Sequence, residues 1–148
     1  MKAIIIGGGK VGYYLAKALL ERYYDVLVVE KDKATCQYFA NTLDVTVVMG
    51  DGSTAAVLKK AGADKCDSVI AVTGEDEVNL VICQIAKKLF DVKKTIAKVN
   101  NPKNVETMRL LGVDIAISGT ENIIKQMERE VDNSRIKELM LSLIHISE

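Results

Sequence analysis

Histidine is almost missing from this 148-residue sequence: there is one, His145, near the end of the chain. No Ser-His-Asp set, no cysteine nucleophile paired with a base and no metal-ligand cluster can be assembled from what is present, so the sequence does not read as an enzyme. Charge of one sign is missing too. Twenty Lys and Arg balance twenty Asp and Glu, which removes the electrostatic case for nucleic acid or for an anionic membrane surface. No apolar run approaches the ~20 residues of a membrane span, so no direct membrane insertion is expected. The chain opens on Met1-Lys2 and a short strand, leaving no room for a signal peptide. Cysteine is sparse: Cys36, Cys66 and Cys83 are odd in number, far apart and without a CxxC pair, so reduced core thiols in a cytoplasmic protein are expected. What remains is an ordinary soluble mixture, 49% apolar and 27% charged. One domain of this length buries roughly 70% of the surface its unfolded chain would expose.

Within that mixture, short apolar runs alternate with helical stretches. The runs are 3–6, 26–29, 45–49, 68–72, 95–99 and 114–117, rich in Ile and Val and with little alternation. Strands buried on both faces have this character, which predicts a parallel sheet covered by helices. Between the runs, Val11, Leu15, Ala18 and Leu19 share one helix face, and Val78, Val81, Ile82, Ile85 and Leu89 share another. Asp32 is placed to cap the second helix, Asn101-Pro102 to open the fifth, and Gly62 and Gly112 to end helices. Strand-helix repetition with right-handed crossovers predicts an α/β fold: a Rossmann-type, doubly wound, six-stranded parallel sheet in three layers, ordered 3-2-1-4-5-6. After a polar break at Asp132-Asn133-Ser134, residues 132–148 form a tail. Ile136, Leu139, Met140, Leu143 and Ile144 have helical spacing, while 139–146 also suits a strand.

Gly7-Gly8-Gly9-Lys10-Val11-Gly12 follows the first strand and opens a helix, the context that gives a G-x-G-x-x-G match its meaning. Gly7 permits the tight turn, Gly9 lets a pyrophosphate approach the backbone, and Gly12 lets the helix pack closely on the sheet. The helix start then offers free N–H groups and partial positive charge to phosphates. Glu30 ends the second strand eighteen residues after Gly12. A carboxylate there accepts hydrogen bonds from both ribose hydroxyls of an adenosine and repels a 2′-phosphate, which favours NAD over NADP; Lys31 beside it softens that choice or is a solvated loop residue. Asp51, between Gly50 and Gly52, Thr73 with Gly74, and Lys98 lie at carboxyl ends of strands, where open α/β sheets bind ligands. Each also has a plain structural role open to it: Asp51 as a turn cap, Thr73 as a helix cap, Lys98 as an exposed lysine.

The glycine loop, Glu30, the Gly50-Asp51 pair, the run Ala71-Val72-Thr73-Gly74-Glu75-Asp76-Glu77-Val78-Asn79 and Leu110-Leu111-Gly112-Val113-Asp114 together resemble the TrkA N-terminal domain, also called the KTN or RCK domain (regulator of potassium conductance). The resemblance covers about residues 1–131. It implies a cytoplasmic regulator, held at the inner face of the cell membrane through a potassium channel or transporter subunit. It implies NAD(H), or in some members ATP or ADP, bound between strands one and four. It implies pairing through the later helices into a homodimer and a higher-order ring. Carried over by position, Gly7 to Val11 hold the pyrophosphate, Glu30 the ribose, Asp51 lies near the adenine, and Thr73 and Gly74 form the opposite wall. Lys98 matches a basic position that is often Arg; a lysine cannot make the bidentate fork.

The expectation is therefore a non-enzymatic NAD(H)-binding subunit that gates potassium flux. The rival is the cofactor domain of a truncated NAD-dependent dehydrogenase, which the same loop would serve; a purely structural ligand is a third reading. A helix over Thr120 to Val131, with Ile123, Ile124 and Met127 on one side, is expected to cross to a partner. The tail from 132 to 148 is expected to be the start of a missing C-terminal lobe or a cloning remnant.

Overall fold

The computed structural model describes residues 1–118 and 140–144. The helix expected over Thr120 to Val131, with Ile124 and Met127, lies outside the described residues, as does His145.

Six strands form one parallel sheet. In chain order the elements are β1 (Lys2–Ile6), α1 (Lys10–Glu21), β2 (Asp25–Glu30), α2 (Lys33–Thr42), β3 (Thr46–Met49), α3 (Ala55–Lys60), β4 (Ser68–Ala71), α4 (Asp76–Phe90), β5 (Lys94–Val99), α5 (Val105–Leu110) and β6 (Ile115–Ser118). One-turn 3₁₀ helices, Ala63–Lys65 and Pro102–Asn104, precede β4 and α5. The strand order is β3-β2-β1-β4-β5-β6, every pair parallel. This is the predicted topology, with strand ends within one residue of the predicted ones.

The apolar runs lack alternation because both faces of the sheet are covered, yet successive side chains still point to opposite sides. Ala3, Ile5, Val28, Ile70, Ile96 and Ile117 join Leu15, Leu19 and Phe39 of α1 and α2 on one side. Ile4, Ile6, Val29, Val69, Ala71, Ala97 and Ala116 join Leu58, Ile82, Ala86 and Met108 of α3, α4 and α5 on the other. Residues 140–144 are helical, which settles helix over strand for that stretch. Met140, Leu141, Leu143 and Ile144 are buried in the first of these clusters.

The caps behave as expected. Asp32 accepts from the Thr35 backbone N–H at 2.9 Å, and Asn101 accepts from that of Lys103 at 3.1 Å. Gly62 and Gly112 have φ of +87° and +104°, the left-handed conformation that ends helices.

The face of α4 differs from the predicted one. Val81 and Leu89 are 40% and 66% exposed, while Asp76, Asn79, Ile82, Cys83 and Ala86 are buried. The helix is apolar on more than one side, so a count of apolar residues finds two stripes. Small Cys83 and Ala86 allow close contact with the sheet, and two polar residues have partners beneath. On α1, Ala18 is half-buried, and Ala16 takes the place on the inner face.

Candidate functional site

β1 and β4 are neighbours whose chains leave the sheet on opposite routes. The gap this opens at their carboxyl ends is where doubly wound sheets bind ligands. A cleft of about 450 Å³ lies there, lined by Gly7, Gly8 and Gly9, Glu30 and Lys31, Gly50 to Gly52, Thr73 to Glu75, and Val78 and Ile82 of α4.

The glycine loop forms its floor. Gly7 has φ of +114°, and a Cβ there would sit 3.1 Å from the Thr73 amide nitrogen and the Val72 carbonyl. Gly12 packs so closely that a Cβ would collide with the Gly7 carbonyl oxygen. Gly9 differs: beyond its neighbours in the chain, no atom lies within 4 Å of where its Cβ would be. Nothing in the protein fills that space, which leaves it open to a ligand. The N-cap of α1 is Gly9, with no capping side chain and no acidic residue in the first turn. The first-turn amide donors of α1 therefore have no carboxylate of their own helix competing with an incoming anion.

Glu30 stands at the rim. Its Oε1 accepts from the Gly8 backbone N–H at 2.8 Å and its Oε2 from the Asp32 backbone N–H at 2.6 Å. These bonds fix the carboxylate against the glycine loop. A carboxylate has about four acceptor directions, so directions remain for ribose hydroxyls.

Asp51 takes the turn-cap role. Its Oδ1 accepts from the Ser53 hydroxyl at 2.7 Å and the Ser53 backbone N–H at 2.9 Å. Those two bonds hold its carboxyl below the usual range, with nearby Lys31 contributing in the same direction. It nonetheless lines the cleft.

Thr73 is held by its own side of the fold. Its backbone N–H and hydroxyl both donate to Asn79 Oδ1, at 3.0 and 2.6 Å. Its carbonyl accepts from Asn79 Nδ2 at 3.1 Å and Asn100 Nδ2 at 3.2 Å. Its hydroxyl oxygen also accepts from the Glu75 backbone N–H at 3.3 Å, a local turn just before α4.

Seven of the predicted residues thus line one cleft: Gly7, Gly8, Gly9, Glu30, Asp51, Thr73 and Gly74. Val11 and Gly12 are buried behind the loop. Lys10 lies in a smaller adjoining cleft, with Gly8, Gly9 and the rings of Tyr13, Tyr14, Tyr38 and Phe39. Lys98 does not line the main cleft; its carbonyl accepts from Asn79 Nδ2 at 2.8 Å. β4 stands between β5 and β1, which sets Lys98 one strand away. Sequence reasoning gave no role to Asp76 or Asn79. Their spacing carried a signal: they continue the buried stripe Ile82-Cys83-Ala86 at intervals of three and four, and buried polar residues on such a stripe need partners.

Residues 3–119 match the TrkA-N domain. The chain belongs to the TrkA-N domain family. It is 31% identical over 141 residues to a Trk system potassium uptake protein TrkA homolog of Methanothermobacter thermautotrophicus, covering 95% of this chain and 65% of that protein. It is 42% identical over 127 residues to a Trk system potassium uptake protein trkA homolog 1 of Methanosarcina mazei, covering 79% and 30%. The chain thus spans under two thirds of either relative. Among solved structures, the TrkA-N domain of inner membrane protein ybaL from Escherichia coli has a TM-score of 0.76 at 18% identity, covering 88% of this chain and 96% of that one. The GsuK channel bound to NAD has 0.71 at 24%, covering 78% and 21%. GsuK bound to ADP has 0.74 at 20%, covering 99% and 41%. These likenesses establish the fold. Among the described residues of this TrkA-N domain, no helix is long and apolar enough to cross a membrane, and no cluster of His, Cys, Asp or Glu suits a metal ion.

Proposed function

We propose that this TrkA-N domain is a cytoplasmic regulatory module. An adenine nucleotide bound at the cleft, with NAD(H) as the first choice and ADP or ATP as the alternative, controls a potassium channel or transporter at the inner face of the membrane. The observation that carries the reading is the convergence of three features on one cleft. They are an uncapped helix start behind a glycine loop with open space at Gly9, a carboxylate fixed at the rim with acceptor directions to spare, and a facing wall from Thr73 to Glu75. Phosphates go to the helix start, the adenosine ribose to Glu30, and the adenine toward Gly50 and Asp51. The solved structures with NAD and with ADP support a nucleotide as the ligand, and the potassium-uptake relatives support a role in potassium transport. The nucleotide is a signal here rather than a substrate. It acts only through different affinity for two arrangements of the domain and its partners.

The module works as a homodimer within a ring. Val81 and Leu89 of α4 and Leu110 at the end of α5 are exposed apolar side chains, and Ile124 and Met127 are the further contacts to test. Residues 1–131 are taken as the nucleotide domain.

Titration calorimetry on nucleotide-stripped protein tests the binding half. NAD is expected to bind more tightly than NADP. Tighter NADP binding removes Glu30 from the ribose, and ADP or ATP tighter than both keeps the cleft but changes the signal. Sedimentation equilibrium at micromolar concentration tests assembly. The wild-type chain is expected to be dimeric and Ile124→Asp monomeric, because a charge in a buried apolar contact is costly. A wild-type monomer at every concentration removes the pairing.

A further inference from the structure

Asn79 is fully buried, and every polar atom of its side chain is used. Oδ1 takes the Thr73 N–H and the Thr73 hydroxyl. Nδ2 gives one proton to the Thr73 carbonyl and one to the Lys98 carbonyl. One amide therefore grips all three polar atoms of a single cleft residue and ties it to β5. The amide carries both a double acceptor and a double donor, and the site demands both. A carboxylate lacks the donors, and an aliphatic side chain lacks everything.

This grip changes what the cleft wall is. With its N–H, carbonyl and hydroxyl all turned toward Asn79, Thr73 meets a ligand as a fixed surface rather than as a polar contact. A second tie secures the same wall. Asn100 Nδ2, which also bonds the Thr73 carbonyl, donates to Asp76 Oδ1 at 3.0 Å. Asp76 in turn holds the backbone N–H groups of Asn100 and Asn101 at 2.6 and 2.9 Å, and Asn104 Nδ2 at 2.8 Å.

We propose that Asn79 is a positioning residue of the nucleotide cleft: by fixing Thr73 and Gly74 against β5 it sets the width of the gap between the β4 wall and the glycine loop, and so the affinity for a nucleotide. This rests on the nucleotide reading above. A site held in place by a locked supporting residue binds without having to order itself first.

The test uses Asn79→Asp in the full chain. The introduced carboxyl faces the Thr73 and Lys98 carbonyls in place of the donor arm. Asp76 lies one turn before it on α4 and Lys98 is the β5 residue whose carbonyl it meets; Glu75 at the N-cap, Glu77, Lys87 and Lys88 of α4 and Lys94 of β5 are the other charged residues of these two elements. When protonated it keeps one donor; when ionised it opposes two carbonyl dipoles, and burial among acceptors moves its titration upward. Binding of NAD and ADP is measured by calorimetry between about pH 5 and pH 8, at a temperature where circular dichroism shows variant and wild type folded. The variant is expected to bind about tenfold more weakly than wild type at the alkaline end, a ratio equivalent to about 1.4 kcal/mol, and to recover toward wild type at the acid end. Asp114→Asn serves as the stability control. It weakens the far end of β5, where Asp114 holds the Thr95 N–H at 2.8 Å, and is expected to lower the melting temperature with unchanged affinity. If Asn79→Asp does not fold, Thr73→Val removes the hydroxyl arm without adding charge and is expected to bind about threefold more weakly, in proportion to one neutral hydrogen bond. A variant that follows the wild-type pH curve, or a Thr73→Val chain with full affinity, overturns the positioning role while leaving the nucleotide reading intact. A wild-type chain that binds neither NAD nor ADP overturns both.

Discussion

The two edges of this sheet carry clefts of comparable size and opposite character. The cleft at the carboxyl ends of the strands is about 450 Å³. The groove at the amino ends, among Lys2, Leu20, Tyr23, Tyr24, Asp25, Asp44, Lys65 and Cys66, is about 670 Å³. Size alone would choose the second. Parallel strands with helical crossovers decide otherwise: helices start at the carboxyl edge and end at the amino edge, so one edge presents amide donors and the other carbonyls. The carboxyl-edge cleft has a glycine floor open to a ligand at Gly9 and a carboxylate pinned to that floor. The amino-edge groove borders the end of α1, where Tyr23 sits at φ of +63° and is 94% exposed. It borders Cys66 too, whose thiol is pushed up to about 11, first by burial and then by nearby Asp67. A thiol of that kind stays protonated and unreactive at neutral pH.

The sharpest way to break the comparison is at the glycine floor. Gly12→Val forces a side chain onto the Gly7 carbonyl. It is expected to cost about 3 kcal/mol of stability, the upper range for overpacking, and urea denaturation reads it. The Cβ of Gly9→Val meets no atom beyond its neighbours in the chain, and its side chain enters the space proposed for the phosphate. Native-like circular dichroism should accompany a roughly hundredfold loss of nucleotide affinity, the size of one strong hydrogen bond to a charged group. Wild-type affinity in Gly9→Val would move the phosphate elsewhere.

Next in size is an effect of pH at the same edge. Burial raises the Asp76 carboxyl, but bonds from the Asn100 and Asn101 backbone and the Asn104 and Asn100 side chains outweigh it and leave it below its ordinary value. A carboxyl depressed in the folded state adds stability that is present above its unfolded value, near pH 4, and is lost as pH falls through the folded value. Asp76→Asn should cost about 2 kcal/mol at pH 7 and flatten the acid limb of a stability-against-pH curve. An unchanged acid limb would remove Asp76 as its source.

A smaller change sharpens ligand choice. Glu30→Gln keeps an acceptor for one loop N–H but drops the charge that repels a 2′-phosphate. NAD should lose about tenfold in affinity, near 1.4 kcal/mol, and the preference over NADP should disappear in competition titrations. The least effect is expected at the opposite edge. Tyr23→Gly relieves a left-handed residue that costs about 1–2 kcal/mol and gives back part of that through unfolded-chain entropy. A gain near 0.5 kcal/mol with unaltered nucleotide affinity would confirm that the larger groove takes no part in binding.

Much of this edge was legible without coordinates. A glycine loop after an Ile-rich strand, and an acid ending the next strand, are local patterns whose meaning travels with the chain. Seven of the predicted residues accordingly face one cleft. The positions that differ from the local pattern depend on distant neighbours. Val81 and Leu89 have the right spacing for a buried stripe, but the sheet beneath α4 receives Asn79, Ile82, Cys83 and Ala86 instead. Lys98 ends up one strand away from the gap because β4 lies between it and β1.

The sequence by itself determined the layer order, the strand sequence 3-2-1-4-5-6 and the glycine floor. Strand periodicity, crossover handedness and glycine sterics act over a few residues, or over one strand-helix-strand unit, and need no knowledge of the rest. Only the tertiary structure decided that Asn79 holds Thr73 to Lys98 and that Asp76 gathers Asn100, Asn101 and Asn104. It alone decided that residues 140–144 cover the sheet beside α1. Those contacts join segments separated by 19 to 28 positions along the chain, and by far more for 140–144. A buried polar side chain or an apolar face must find a partner, but its spacing in the chain states only that need; the packing of the sheet supplies the partner.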